Sequence, residues 1–193
     1  MKELVFLLEE LSAQAMLEGL LPKLLPQDIN PRFIPFEGKQ DLEKQLAKKI
    51  KGYNNRYASF IILRDQDSHP DCIALKTRYV ELCNEAGRPD ALVRLACREL
   101  ESYYLADLAA VEKGLNLHGL VKKQGREKYR NPDNLGSPSE ELKRLTRGRY
   151  QKLSGSRAIG PHLDLENRRS ASFRNLIDAI RRMVTQLSAY QPE

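Results

Sequence analysis

The sequence predicts a three-layer α/β fold: a four-stranded, mainly parallel sheet between layers of helices, with a helical extension at the C-terminus. Three observations predict it. Leu4-Val5-Phe6-Leu7-Leu8 and Tyr57-Ala58-Ser59-Phe60-Ile61-Ile62-Leu63 are continuous apolar runs that end abruptly, as expected of strands buried on both faces of a parallel sheet. Strand and helix patterns alternate over residues 3–114. A chain of 193 residues with 41% hydrophobic content can bury one proper core, and nothing in it suggests a second.

The elements follow in order. After the first strand, Ser12 is a plausible N-cap for a helix carrying Ala13, Ala15, Met16, Leu17, Leu20 and Leu21, which Pro22 and Pro26 end. Arg32-Phe33-Ile34-Pro35-Phe36 reads as a short strand that its internal Pro35 confines to a sheet edge. Asp41 to Lys51 is a charged surface helix with Leu42, Leu46 and Ile50 on one face, stopped by Gly52. Asn54-Asn55 turns into the strand that ends at Leu63. Pro70 opens a helix running to Gly87, with Ile73, Tyr79, Val80 and Cys83 expected to face inward. Arg88-Pro89-Asp90 is a turn, Ala91 to Cys97 a further apolar strand, and one helix is expected from there through Leu105, Leu108 and Val111 to Gly114.

Beyond residue 118 the character changes. Residues 1–117, read as the α/β domain, carry 16 Lys and Arg against 18 Asp and Glu; residues 118–193, read as a basic helical extension packed on the same domain, carry 16 against 8. The whole net charge of +6 therefore lies in the C-terminal part. Ser139 with Glu140 and Glu141 looks like a helix start. Ser170 or Ser172 can cap a last helix whose apolar stripe is Phe173, Leu176, Ile177, Ile180, Met183, Val184 and Leu187.

Several classes are disfavoured. No apolar run is long enough to span a bilayer, and the start Met1-Lys2-Glu3 lacks the basic region of a signal peptide, so a cytoplasmic location without membrane contact is expected. Cys72, Cys83 and Cys97 are odd in number and lack metal-ligand spacing, which points to buried reduced thiols. There is no P-loop and no Gly-x-Gly-x-x-Gly, so ATP binding by this chain alone is not expected.

The chemistry-bearing feature is the set of acids that terminate the strands. The first run ends in Glu9-Glu10, the second in Arg64-Asp65-Gln66-Asp67, and the last strand in Arg98-Glu99-Leu100-Glu101. Ligands of open α/β sheets bind outside the carboxyl ends of the strands, so these carboxylates can converge. A hard cation suits them, because Mg²⁺ takes one or two carboxylates, keeps several waters and leaves room for phosphate oxygens. Asp65 and Asp67, two apart in an extended segment, are expected to share a face and to need a cation or a proton between them. Arg64 is the competing partner, since a salt bridge would satisfy the same geometry without catalysis. If a helix has begun by Glu99, its side chain and that of Glu101 diverge by about 200°, and Glu99 is the one expected to face the crevice. His69 is a candidate general base.

The basic residues Lys122, Lys123, Arg126, Lys128, Arg130, Arg147, Arg149, Lys152, Arg157, Arg168 and Arg169, with Tyr129 and Tyr150 interleaved, are the candidate nucleic-acid surface. A solvated basic face explains them equally well, and no base-reading motif accompanies them.

A strand ending in Glu9, a Ser three residues later that starts a helix, and a later strand ending in Asp65-x-Asp67 resemble the Toprim domain of topoisomerases, primases and the overcoming-lysogenization-defect nucleases. The resemblance covers roughly residues 1–115. Together with Cys97-Arg98-Glu99-Leu100-Glu101-Ser102-Tyr103-Tyr104 and Glu166-Asn167-Arg168-Arg169-Ser170, these segments are similar to an uncharacterised Toprim-related bacterial family, often encoded beside an AAA or ABC-type ATPase in anti-phage defence loci. It implies a Toprim-like domain that binds Mg²⁺ or Mn²⁺ through Glu9, Asp65 and Asp67 for phosphodiester chemistry, with Glu9 or Glu99 orienting water and Lys152 as transition-state cation. Toprim domains usually carry Gly after the glutamate; Glu10 stands there here, implying a changed turn and an extra ligand. The partners implied are nucleic acid, a separate ATPase and further copies of the chain. Two other readings stay open: a non-catalytic regulatory subunit with structural acids, and a haloacid-dehalogenase-like phosphatase with Asp65 as nucleophile, although that motif normally follows the first strand of its domain.

Overall fold

The structure, a computed structural model, describes residues 1–190. Four strands form one parallel sheet in the order β2-β1-β3-β4: β1 (Lys2–Leu8), β2 (Ile29–Pro35), β3 (Ala58–Asp65) and β4 (Leu92–Ala96). The two runs that read as fully buried, β1 and β3, are the central pair, and the proline-bearing β2 is at an edge, where a missing N–H costs no ladder bond.

Alternation along the strands divides the core into two layers. Leu4, Phe6, Leu8, Ile61 and Leu63 point to one face, where α1 (Leu11–Leu20), α4 (Glu101–Leu105), α5 (Leu108–Gly114) and the C-terminal helix α9 (Ala171–Ala189) pack. Val5, Leu7, Phe60 and Ile62 point to the other, against α2 (Lys39–Lys51) and α3 (Cys72–Glu85). The short helices α6 (Glu127–Arg130), α7 (Pro138–Leu145) and α8 (Lys152–Ile159) complete the first layer. Residues on both sides of position 118 thus share one core: Leu120, Tyr129, Leu142, Ile159 and Phe173 are buried with Phe6 and Leu63. Among the described residues no helix is long and apolar enough to cross a membrane.

Local chemistry moved several boundaries. Helix α1 begins at Leu11, with Glu10 at its N-cap and Ser12 inside the first turn, where the Ser12 hydroxyl donates to Glu10 Oε1 (2.5 Å). Asp71, rather than Pro70, starts α3 by accepting the Ile73 and Ala74 amides. The single helix expected up to Gly114 is two, because Asp107 accepts the Ala110 amide and caps a new start. Helix α7 starts at Pro138, one residue before the expected cap, and Ser137 occupies the N-cap. Ser170 caps α9 as expected, accepting from Phe173 N (3.0 Å). Ile73 is 75% exposed rather than inward, because α3 lies over the open flank of the sheet; Cys72 is exposed, Cys97 half-buried, and only Cys83 is a buried thiol.

Candidate functional site: a carboxylate cluster at the sheet edge

Because β1 and β3 pair in parallel with Leu8 opposite Leu63, their ends come out side by side. The Glu9 amide donates to Leu63 O, one step past the ladder, and the Asp65 amide donates to Glu9 Oε2 (3.1 Å). Glu9 and the Asp65-Gln66-Asp67 segment therefore stand at the same end of one sheet.

The pair Asp65 and Asp67 does not share a face. Gln66 N–H still bonds Ala96 O, but Asp67 takes a left-handed backbone (φ 54°), donating to the carbonyl of Arg98, which is itself left-handed (φ 63°). Only Asp65 continues the Ile61, Leu63 alternation into the first helical layer.

The acids consequently sort into two groups. On one side Arg64, almost fully buried, lies between Glu9 (3.7 Å) and Asp67 (3.9 Å) and donates to Tyr79 Oη (3.2 Å), with its guanidinium 5.3 Å from the Tyr79 ring centre. Lys39, at the first position of α2, adds a second cation on Asp67 at 3.0 Å. Burial and the neighbouring Asp67 raise the Glu9 carboxyl above its ordinary value despite Arg64.

On the other side Asp65 faces Glu101, Glu10 and Lys152. Asp65 is buried, and among the described residues no hydrogen bond or ion pair reaches its carboxylate. Burial first, then the charges of Glu101, Glu10 and Glu9, push its carboxyl well above the usual range, with Lys152 opposing. Glu101 is 1% exposed; Oε1 accepts from Tyr150 Oη (2.8 Å), while Oε2 is buried without a partner. Burial raises its carboxyl too. Beside it the Tyr104 hydroxyl is buried and unpartnered.

Lys152, the first residue of α8, reaches Glu10 Oε2 at 2.6 Å. It is placed there by close helix contact: a Cβ on Gly160 would lie 2.5 Å from Met16 O, so only glycine lets the end of α8 settle against α1, which brings the two helix starts together. Burial lowers the affinity of Lys152 for its proton, but the Glu10 pairing outweighs it and the ammonium is held above its ordinary value. Glu10 itself is extended (φ −155°), so the strand-to-helix turn requires no glycine.

Other expected site residues lie elsewhere. Glu99 turns away and accepts from the Ser139 amide (2.7 Å) at the start of α7; Glu101 faces the crevice instead. The His69 ring accepts the Asp71 amide within its own turn. Tyr129 and Tyr150 are packed inside (1% and 5% exposed), which removes them as stacking platforms. Lys122, Arg126, Arg130, Arg147, Arg149, Arg157 and Arg168 are exposed and Lys123 is half-buried; Lys128 is paired with Glu141 at 2.8 Å, and the exposed Arg169 reaches back to Ala106 O (3.4 Å). Arg126, Lys128 and Arg130 line a shallow surface cleft with Asn131 and Asn134.

Does this edge suit a divalent cation? Among the described residues no three Asp, Glu, His or Cys side chains converge into a ready cage. The donor chemistry nevertheless fits an ion that needs few protein ligands: Asp65 without a hydrogen-bond partner, a free buried Glu101 oxygen, and three acids against the single ammonium of Lys152 on their side. Asp65 and Glu101 are the residues that would hold it, since both Glu10 oxygens are taken, one by the Ser12 hydroxyl and one by Lys152.

The profile of one family, a domain of unknown function (DUF4276), matches residues 8–181, from the end of β1 into α9, and takes in all of these acids. The chain belongs to this family. Neither a curated protein nor a solved structure matches it.

Proposed function

We propose that this DUF4276 protein is a Mg²⁺- or Mn²⁺-dependent nuclease of Toprim type, with Asp65 and Glu101 as the metal-facing carboxylates and Glu10 holding Lys152 beside them. One observation carries the reading. A 9%-exposed carboxylate without a hydrogen bond, Asp65, next to Glu101 with a fully buried free oxygen, is a costly arrangement that a cation or a proton relieves. The Toprim resemblance supports it through Asp65, whereas Glu9 and Asp67 are held by Arg64 and Lys39; the same resemblance supplies the expectation of an ATPase partner and an anti-phage role.

Each side chain has a task in this reading. A divalent ion would offset the charge of a phosphodiester and make bound water a stronger nucleophile. Tyr150 fixes the rotamer of Glu101 through its hydroxyl. Lys152, half-exposed, stands at the rim as a cation for a phosphate oxygen. Arg64 holds Glu9 in place, so that Glu9 orients the end of β3 through the Asp65 amide. The exposed Lys and Arg of residues 118–193 provide backbone contacts without sequence readout.

A second reading, a non-catalytic subunit of an ATPase complex, is favoured by the neutralisation of Glu9 and Asp67 by Arg64 and Lys39. Incubating DNA and RNA with the protein and Mn²⁺ or Mg²⁺, with and without any AAA- or ABC-type ATPase found to be encoded beside it, separates the two. The nuclease reading expects cleavage that Asp65→Asn and Glu101→Gln each reduce by about a hundred-fold or more, and a melting temperature that rises with Mg²⁺ in the wild type only. No cleavage and no response to the ion, with tight ATPase binding, establishes the second reading; hydrolysis of a generic phosphomonoester alone would indicate the phosphatase.

A further inference from the structure

Helix α4 concentrates polar groups inside the fold. Among the described residues, four buried side-chain atoms without a hydrogen-bond partner come from its successive residues Glu101, Ser102, Tyr103 and Tyr104; the remaining one is Arg64 Nε. An unpartnered polar atom in a core costs stability and calls for an explanation. Successive residues leave a helix about 100° apart, so the four groups do not share one environment. Tyr103 turns to α9, its ring 5.1 Å from that of Phe173. Glu101 and Tyr104, three apart, lie on one face, toward Tyr150 and the start of α8. Tyr150, which donates to Glu101 Oε1 at 2.8 Å, has its ring 5.9 Å from that of Tyr104.

The Tyr104 hydroxyl therefore stands beside the carboxylate cluster, fully buried. Burial first, then the charges of Glu101, Asp65 and Glu10, push it well above the ordinary phenol range, with Ser156 opposing, so it keeps its proton and can only donate to the acids around it. Those acids lack donors in the same measure: among the described residues nothing donates to the Asp65 carboxylate, and Glu101 has Tyr150 alone on its Oε1. A carboxylate that gives one oxygen to a divalent cation leaves the other to be held by a donor, and such supporting bonds are worth about ten- to a hundred-fold in metal affinity.

We infer that Tyr104 is a positioning residue of the metal site, its hydroxyl donating to the Asp65 carboxylate once that group and Glu101 hold Mg²⁺ or Mn²⁺. The inference rests on the reading of Asp65 and Glu101 as metal-facing carboxylates and adds to it the group that orients the first of them. The two tyrosines then divide the work: Tyr150 fixes Glu101 in the metal-free fold, and Tyr104 serves Asp65 in the loaded one. Ser156 Oγ, also fully buried, is the competing partner for Tyr104 within the core. It leads to the opposite pattern, since a hydroxyl held by Ser156 supports the fold with or without an ion.

The test compares Tyr104→Phe with the wild type in two measurements on the full chain: urea unfolding without divalent ions, and Mn²⁺ affinity from the electron paramagnetic resonance signal of the free ion. Phenylalanine fills the same space, so the variant folds, and circular dichroism confirms it. The expected result is a metal-free urea midpoint that is unchanged or raised, because an unpartnered hydroxyl has been removed, together with a Mn²⁺ affinity weakened about ten-fold. Tyr150→Phe, measured alongside, should lower the metal-free midpoint and marks the size of a bond made within the fold. A Tyr104→Phe midpoint that falls as far as that of Tyr150→Phe, or a Mn²⁺ affinity equal to that of the wild type, would overturn the inference and leave the metal reading standing. A wild type that does not bind Mn²⁺ would overturn both.

Discussion

Replacing Asp65 by Asn keeps the shape of the side chain and removes its charge, and the geometry sets the sign and size of the effect. Lys152 is held at 2.6 Å by Glu10, so from Asp65 that pair is close to neutral; Glu9 is partly offset by Arg64 at 3.7 Å. About one like charge, chiefly Glu101, remains uncompensated. At an effective dielectric constant of about 20, one uncompensated like charge nearby is worth on the order of 2 kcal/mol, and burial of the carboxylate adds to it. Asp65→Asn should therefore stabilise the metal-free protein by about 2–3 kcal/mol at neutral pH, which for a domain of this size raises the melting temperature by about 4–12 °C. The pH dependence has a definite sign. The Asp65 carboxyl is raised above its ordinary 3.8 when folded, so the folded chain holds this proton more tightly than the unfolded one. The wild type then loses stability as pH rises from that ordinary value through the raised one, and the mutant lacks that loss. Urea unfolding from pH 4 to 8 should show a gap that is small at the acid end and opens toward neutrality, and Mg²⁺ should narrow it by stabilising the wild type alone. A mutant that is equally or less stable at neutral pH, or a gap independent of pH, would mean that the Asp65 carboxylate already has its partner within the fold.

Further outcomes follow from single contacts. Tyr150→Phe deletes the hydrogen bond to Glu101 and leaves that buried carboxyl with no donor, so it should cost about 1–3 kcal/mol in urea unfolding while altering little packing. Thiol titration of the native protein should modify the exposed Cys72 first and leave Cys83, whose thiol burial pushes up to about 11, unreactive until the chain unfolds. Neutralising Lys122, Lys123 and Arg126 together should weaken nucleic-acid binding and flatten its salt dependence by about three charges' worth, measured by anisotropy across salt concentrations; an unchanged slope would show these residues to be solvated bystanders.

What was legible in the sequence depended on how far the deciding interaction lay along the chain. Strands β1 and β3 announce themselves because both faces are buried, and α9 because its stripe and its Ser170 cap are local. That Glu9 and Asp65 meet was readable from the rule that parallel strands end at one edge. That Asp65 and Asp67 part company was not, since it follows from a left-handed residue fixed by the carbonyl of Arg98, 31 positions away. The same holds for Glu99 and Glu101: helical spacing says that they diverge, but only the placement of α7, whose Ser139 amide takes Glu99, decides which one remains in the crevice. Lys39 carried no signal at all beyond its place after Gly38, and the inward expectation for Ile73 failed because periodicity finds a helix face without revealing that the sheet stops beneath it.

The packing of α9 has a consequence for how the molecule is made. Its apolar stripe covers β1, β3 and β4 on one side, so a strand at residues 2–8 is closed over by a helix at residues 171–189, made much later in synthesis. Through most of synthesis the nascent chain can lay down β1 to β4 and seat α2 and α3 on one side, while Phe6, Ile61 and Leu63 lack the helix that completes their cover. Closure across so long a sequence separation is slow, and an uncovered apolar sheet is a natural substrate for chaperones. The fold is therefore one in which the N-terminal half cannot be finished before the C-terminal half has been translated, and in which a ribosome that stalls before residue 171 displays a sticky half-sandwich rather than a completed domain.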